Sequence, residues 1–191
     1  TKLNDKRKPL GEIIPELNAT GGMHSIGRID MFEDGIMDLK SREIYEAPGA
    51  TILLKLHRDL EQFCLTKDEI QFKKGIDQKW AYLIYQGMAY HPWRYDLDAF
   101  IETSQRVVNG KYRVKLFKGN IAIAARSSTH SLYNARLATY TQEDTFDHKA
   151  SEGFIKIYGL PVKTFHQVQK GRNGQADESM KNVVLNASPL L

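Results

Sequence analysis

IGRIDMFEDGIMDLKSREIYEAPG, Ile26 to Gly49, carries the reading of the fold. Ile29 and Met31 alternate with Arg28, Asp30 and Phe32, the period of a strand with one apolar and one mostly polar face. Asp34-Gly35 is a favoured two-residue type I′ hairpin turn, so a return strand is expected over Ile36–Lys40. Pro48 suits the first position of a helix, expected to run to about Cys64. Leu53, Leu56, Leu60 and Phe63 recur there at three and four, a stripe facing a core. Two residues of the stretch have binding chemistry. Glu33 abuts the turn, where a carboxylate can point free of the sheet and pair with an ammonium. The Tyr45 phenol can donate to a carboxylate or accept from an amine. On the residues alone, Glu33 reads as a surface carboxylate and Tyr45 as a packed aromatic.

Outward from this stretch, residues 10–22 read as a short helix whose Gly21-Gly22 supplies a left-handed cap. Pro15 fits only if that helix starts near Gly11–Ile13. Downstream, Thr66 opens a helix, and Glu69 three residues on completes a capping box. Its apolar face is Ile76, Trp80, Leu83 and Ile84, and Gly87 ends it. Residues 95–108 repeat the pattern through Leu97, Phe100, Ile101, Ser104 and Val108. KYRVKLFKGNIAIAARSS is a second hairpin, with Tyr112, Val114 and Leu116 on one face and Gly119-Asn120 as its loop. Helices are expected over 146–158 and from Pro161 to Lys170. The tail from Gly171 has little periodicity and reads as a mobile terminus or an arm that needs a partner.

Helices clustered between two hairpins argue an α+β fold, a mainly antiparallel sheet of hairpins packed with helices and ending in a C-terminal helical arm. The expected division is a domain over 1–145 and a helical segment with tail over 146–191, the latter for oligomer contacts.

The 191 residues suffice to bury a sizeable core, with 41% hydrophobic and 26% charged residues. No apolar run reaches the roughly 20 residues of a bilayer span, and no apolar h-region follows the basic TKLNDKRKPL. Cys64 is the single cysteine; on an apolar helical stripe it reads as inert core, in keeping with a reducing cytoplasm. The net charge of +4 is spread among acids, the only dense basic run being Lys6-Arg7-Lys8. With neither an RNA-recognition aromatic signature nor finger spacing, no nucleic-acid partner is expected.

Most motifs point to scaffold. TGGMHS, Thr20 to Ser25, looks like a phosphate loop, but a helix leads in and a strand leads out, the reverse of the order such a loop needs. His24, His57, His91, His130, His148 and His166 show no metal-ligand spacing, so no metal is expected. Neither Ser127-Ser128 nor Ser131 sits in a nucleophile elbow, and no catalytic residue is assigned.

Four segments carry a family resemblance: GRIDMFEDGIMDLKSREIYEAPGATILLKLHRDLE, KWAYLIYQGMAYHPWRYDLDAFIETSQRVVNGKYRVKLFKGN, ARSSTHSLYNARLATY and FDHKASEGFIKIYGLP. In order, over roughly residues 10–165, they resemble the C-terminal synthetase domain of argininosuccinate synthase. The resemblance implies a C–N ligase of arginine biosynthesis and the urea cycle that joins citrulline and aspartate. ATP is split to AMP and pyrophosphate as the ureido oxygen of citrulline is activated, and the aspartate amine then attacks. It also implies a cytoplasmic homotetramer in which the C-terminal helix reaches a neighbour. The family's citrulline-contacting Glu falls on Glu33 and its citrulline-contacting Tyr on Tyr45. Arg28 and Arg42 match family arginines, with a structural role, or one supporting the site residues, expected. ATP, with Mg, and aspartate are expected to bind mainly to a nucleotide-binding half upstream of Thr1, where the SGGxD loop belongs, so this chain alone should not catalyse. The alternative is a non-catalytic ligand-binding or assembly module that kept the scaffold.

The resemblance collides with the hairpin. Along a return strand unbroken from Ile36, Tyr45 would lie roughly 30 Å from the turn, too far for one citrulline to touch both residues. The strand should therefore stop near Lys40 and Ser41–Glu43 fold the chain back, bringing Tyr45 within a ligand length of Glu33, unless the two serve different subunits.

Overall fold

The hairpin read at Ile26–Gly49 forms, but with another partner and a longer loop. β3 (Arg28–Glu33) pairs antiparallel with β4 (Ser41–Glu46), from Arg28↔Glu46 at one end to Glu33↔Ser41 at the other. Ile36–Lys40 is not a strand. It belongs to a seven-residue connection, 34–40, with Gly35 at φ 58° and Asp38 at φ 57°, closed by an ion pair between Lys40 and Asp34. Nor do Ser41–Glu43 bend, for they open the strand. Charge is compatible with this register. Only this pairing sets Arg28 against Glu46, Nε to carboxylate at 3.0 Å, and Arg42 diagonally against Asp30 at 2.6 Å. A tight Asp34-Gly35 turn would forfeit both pairs and leave SREIYE, with its β-branched and aromatic residues, unpaired.

The structure, a computed structural model, describes residues 1–137 and 147–170, and it divides the chain into two units, Thr1–Tyr133 and Asn134–Leu191. The expected boundary between 145 and 146 and the tail from Gly171 lie outside the described residues. In the first unit the order is β1 (Lys2–Leu3), β2 (Lys6–Arg7), α1 (Leu10–Met23), β3, β4, α2 (Pro48–Cys64), α3 (Lys67–Tyr85), α4 (Pro92–Ser104), β5 (Lys111–Phe117) and β6 (Asn120–Ser127). The fold is α+β, with every described ladder antiparallel. Its strands form three separate two-stranded ribbons, β1–β2, β3–β4 and β5–β6. In the second unit α5 (Ala150–Tyr158) is followed by helical residues 160–170, here α6.

The core lies where α1, α2 and the β5–β6 ribbon meet. Ile13, Leu17, Ile26, Ile52 and Ile121 are buried together, with Leu3, Leu53, Leu56, Val114 and Leu116 packed against them. Each such aliphatic side chain gains roughly 1.5–3 kcal/mol on leaving water. Lys55 ties α2 to the ribbon through the Ile121 carbonyl at 2.6 Å. Cys64 is buried, as expected, and forms no disulfide.

Gly21 and Gly22 do not cap α1, which runs through both to Met23. The left-handed turn falls later, at Ser25 (φ 57°). Gly21 is a contact surface instead: a Cβ there would stand 2.8 Å from the Pro48 Cβ and 3.0 Å from the Ile52 Cδ1. Across the same seam the Gly49 amide donates to the Asn18 Oδ1 at 2.8 Å. α1 therefore starts at Leu10, as the 10–22 reading has it, and not near Gly11–Ile13; it ends one residue later, and Pro15 lies inside it. That placement costs the hydrogen bond to the Gly11 carbonyl, and the tertiary seam offsets it. The Ala47 amide, bonded to the Gly27 carbonyl at 2.9 Å, closes the base of the β3–β4 ribbon where α2 begins.

The other expected ends hold with small shifts. The Thr66 hydroxyl accepts from the Glu69 amide at 3.4 Å, the start of the predicted capping box. Gly87, at φ 72°, ends α3: its amide bonds the Ile84 carbonyl and that of Met88 the Leu83 carbonyl, the paired bonds of a glycine-terminated helix. α4 begins at Pro92, earlier than expected, with His91 capping the Trp93 amide at 3.2 Å. The β5–β6 turn is Lys118-Gly119 rather than Gly119-Asn120, both residues having positive φ, because Asn120 already pairs with Phe117. α5 starts at Ala150; position 146 lies outside the described residues.

Candidate functional site

Alternation along the β3–β4 ribbon separates two faces. Ile29, Met31 and Glu33 share one with their partners Tyr45, Glu43 and Ser41; Arg28, Asp30 and Phe32 share the other with Glu46, Ile44 and Arg42. Glu33 is the last paired residue before the loop and Tyr45 lies near the base of the ribbon, yet the two side chains meet. The phenol leans along the strand, and its Oη donates to the Glu33 Oε1. The sequence expectation that they lie within a ligand length is met in one chain. The geometry differs from the one foreseen: the chain folds back through the loop 34–40 and not at Ser41–Glu43.

The faces differ in charge. On one, both arginines are consumed, Arg28 by Glu46 and Arg42 by Asp30, whose carboxyl this bond holds below its ordinary range. On the other, Glu33 has only the neutral phenol as partner, and Glu43 has neither hydrogen bond nor ion pair among the described residues. The Tyr45 phenol is pushed up to about 12, first by its bond to Glu33, then by partial burial and the charge of Glu33, with smaller effects from Glu43 and Tyr85. It stays a neutral donor across the physiological range. Such a face can receive a cation beside a hydroxyl group. Glu43 was missed in the sequence, although the alternation of SREIYE places it with Tyr45.

The remaining motifs serve the scaffold. TGGMHS is the last turn of α1 and its exit. The Ser128 hydroxyl donates to the Asn109 carbonyl and receives the Cys64 thiol at 3.4 Å, and the Ser131 Oγ accepts from the Tyr133 amide. His57 stands 3.4 Å from Glu61. Among the described residues no group of three or more His, Cys, Asp or Glu side chains is placed to hold a metal. No described helix is long and apolar enough to cross a membrane.

A second ionisable cluster escaped the sequence reading. Lys73, 6% exposed, bridges Glu61 at 2.9 Å and Asp77 at 2.7 Å, and the Gln105 side-chain amide donates to Glu61 at 2.8 Å. Burial pushes the Glu61 carboxyl up, but His57 and Lys73 more than reverse this and hold it at about 2. Nearby, Asp59 receives the Tyr112 hydroxyl at 2.6 Å and the Arg126 Nε at 3.1 Å. The charged groups are paired with their neighbours, while the Gln105 Oε1 is buried without a hydrogen-bond partner among the described residues; both clusters read as structural links from α2 to α3, the turn after α4, and the β5–β6 ribbon.

Residues 1–165 match the family model described as "Arginosuccinate synthase C-terminal domain". The chain belongs to this family. Proteins named argininosuccinate synthase from Chlorobium chlorochromatii (strain CaD3) and Chlorobaculum tepidum are each 53% identical, over 160 and 159 residues. Those alignments cover 84% and 83% of this chain and 40% of each relative. One from Rubrobacter xylanophilus is 46% identical over 168 residues, 88% of this chain and 41% of that protein. This argininosuccinate synthase C-terminal domain thus spans about 40% of the length of the relatives it matches. The matched range contains the β3–β4 ribbon, α5 and part of α6.

Proposed function

We propose that this domain is the citrulline-side part of an ATP-dependent ligase that joins citrulline and aspartate to argininosuccinate in arginine biosynthesis, in the cytoplasm. The observation that carries the reading is the Glu33 carboxylate, held by the Tyr45 phenol on a ribbon face with no cation among the described residues. Citrulline offers an ammonium for the carboxylate and polar groups for the phenol. In this reading ATP, with Mg, and aspartate bind mainly through a nucleotide-binding half of the full-length protein. Glu33 and Tyr45 then act by binding and orienting citrulline, so that its ureido oxygen can attack the α-phosphate of ATP as pyrophosphate leaves. AMP leaves when the aspartate amine attacks, and this chain supplies no acid or base to that step.

The test is Glu33→Gln in the full-length protein. It should raise the Kd for citrulline by roughly tenfold or more, the range for loss of a hydrogen-bonded charge, and leave that for ATP within twofold. Equal loss of both would remove Glu33 from the role.

We further propose that α5 and α6 assemble the protein as a homotetramer. Phe154, Ile155, Ile157, Tyr158, Val162 and Phe165 are all exposed. A helical segment so apolar gains burial from a neighbouring copy.

A further inference from the structure

We propose that Tyr45 is a positioning residue for Glu33: its hydroxyl fixes one carboxylate oxygen and turns the other outward, so that the pair meets a ligand ammonium as one unit. The inference rests on the citrulline reading above and adds to it that the two contacts are coupled and not separate.

The ribbon supplies the argument. Glu33 ends β3 beside a seven-residue loop, a place where its side chain would otherwise turn freely. The only partner among the described residues is the phenol of Tyr45, four residues along the partner strand from Ser41, which Glu33 faces. A phenol uses one lone-pair site of a carboxylate that has about four, so it orients the group without neutralising it. An arginine in its place would orient Glu33 and also cancel the charge; the arginines of this ribbon are bound on the opposite face. Glu43, on the same face as both, strengthens the pull on a cation and disfavours a ligand whose charge is mainly anionic, such as aspartate. The raised phenol pKa is what a donor held on an ionised carboxylate should have.

The experiment is a double-mutant cycle for citrulline binding in the full-length protein, with Tyr45→Phe, Glu33→Gln and the two combined. Tyr45→Phe should weaken citrulline by roughly tenfold and spare ATP, and adding it to Glu33→Gln should cost clearly less than it costs the parent protein. The ultraviolet titration of Tyr45, taken as the difference between parent and Y45F proteins, should fall in E33Q from about 12 toward the ordinary 10.0. A role in packing alone would not move that midpoint. Losses that multiply in the double variant, or a midpoint unmoved by E33Q, would overturn the coupling and leave the citrulline site standing. A parent protein that fails to bind citrulline would overturn the site, and this inference with it.

Discussion

Glu61 and Lys73 show how single residues couple this fold to pH. The folded carboxyl sits at about 2 against an ordinary 4.5. Depressed in the folded state, it adds stability that is fully present above pH 4.5 and lost as the pH falls toward 2. The shift corresponds to about 3 kcal/mol. Glu61→Gln should therefore lower stability at pH 7 by about 3 kcal/mol and flatten the acid limb between pH 4.5 and 2, measured by denaturant melts across that range. An acid limb unchanged in slope would show that other carboxylates govern it. The cluster was not legible in the sequence, because Glu61 and Lys73 lie on different helices and nothing local announces that they meet. On residue chemistry alone Glu33 and Tyr45 read as surface carboxylate and packed aromatic. What favoured binding was resemblance, and their juxtaposition depends on a register that only the folded ribbon displays.

Among elements, α1 separates two glycines that look alike in the sequence. Gly22 has nothing within 4 Å of a Cβ position, whereas Gly21 would drive one into Pro48. Gly22→Ala should stabilise the protein by roughly 0.5–1 kcal/mol through helix propensity. Gly21→Ala should destabilise it by roughly 1–3 kcal/mol through overpacking, and thermal melts of the two variants should move in opposite directions. The helices were legible because their stripes and end signals are local: Thr66, Gly87 and Pro48 all stand at the ends they announce. The first hairpin misled because Asp34-Gly35 is a strong turn dipeptide in isolation. The pairing of all six residues of Ser41–Glu46 with β3 outweighs it, and in that register Tyr45 can reach Glu33; the two exposed cross-strand ion pairs add little to the balance.

In the whole molecule, the α+β class was readable from the order of the elements. That the strands among the described residues remain three separate ribbons was not, since pairing between hairpins leaves no mark in a single sequence. The second unit carries the assembly proposal. Deleting residues 150–170 from the full-length protein should lower its molar mass in light scattering below that of a tetramer, and an unchanged mass would contradict that role for α5 and α6. The ribbon, finally, sets how the chain can vary in length. Residues 34–40 bridge two strand ends, and their number can change while the strands stay in step. One residue added within Ser41–Glu46 would move Tyr45 to the back of the ribbon, among the paired arginines, and strand Glu33 without its donor. A change of length is therefore tolerable in the loop and disruptive between Ser41 and Tyr45.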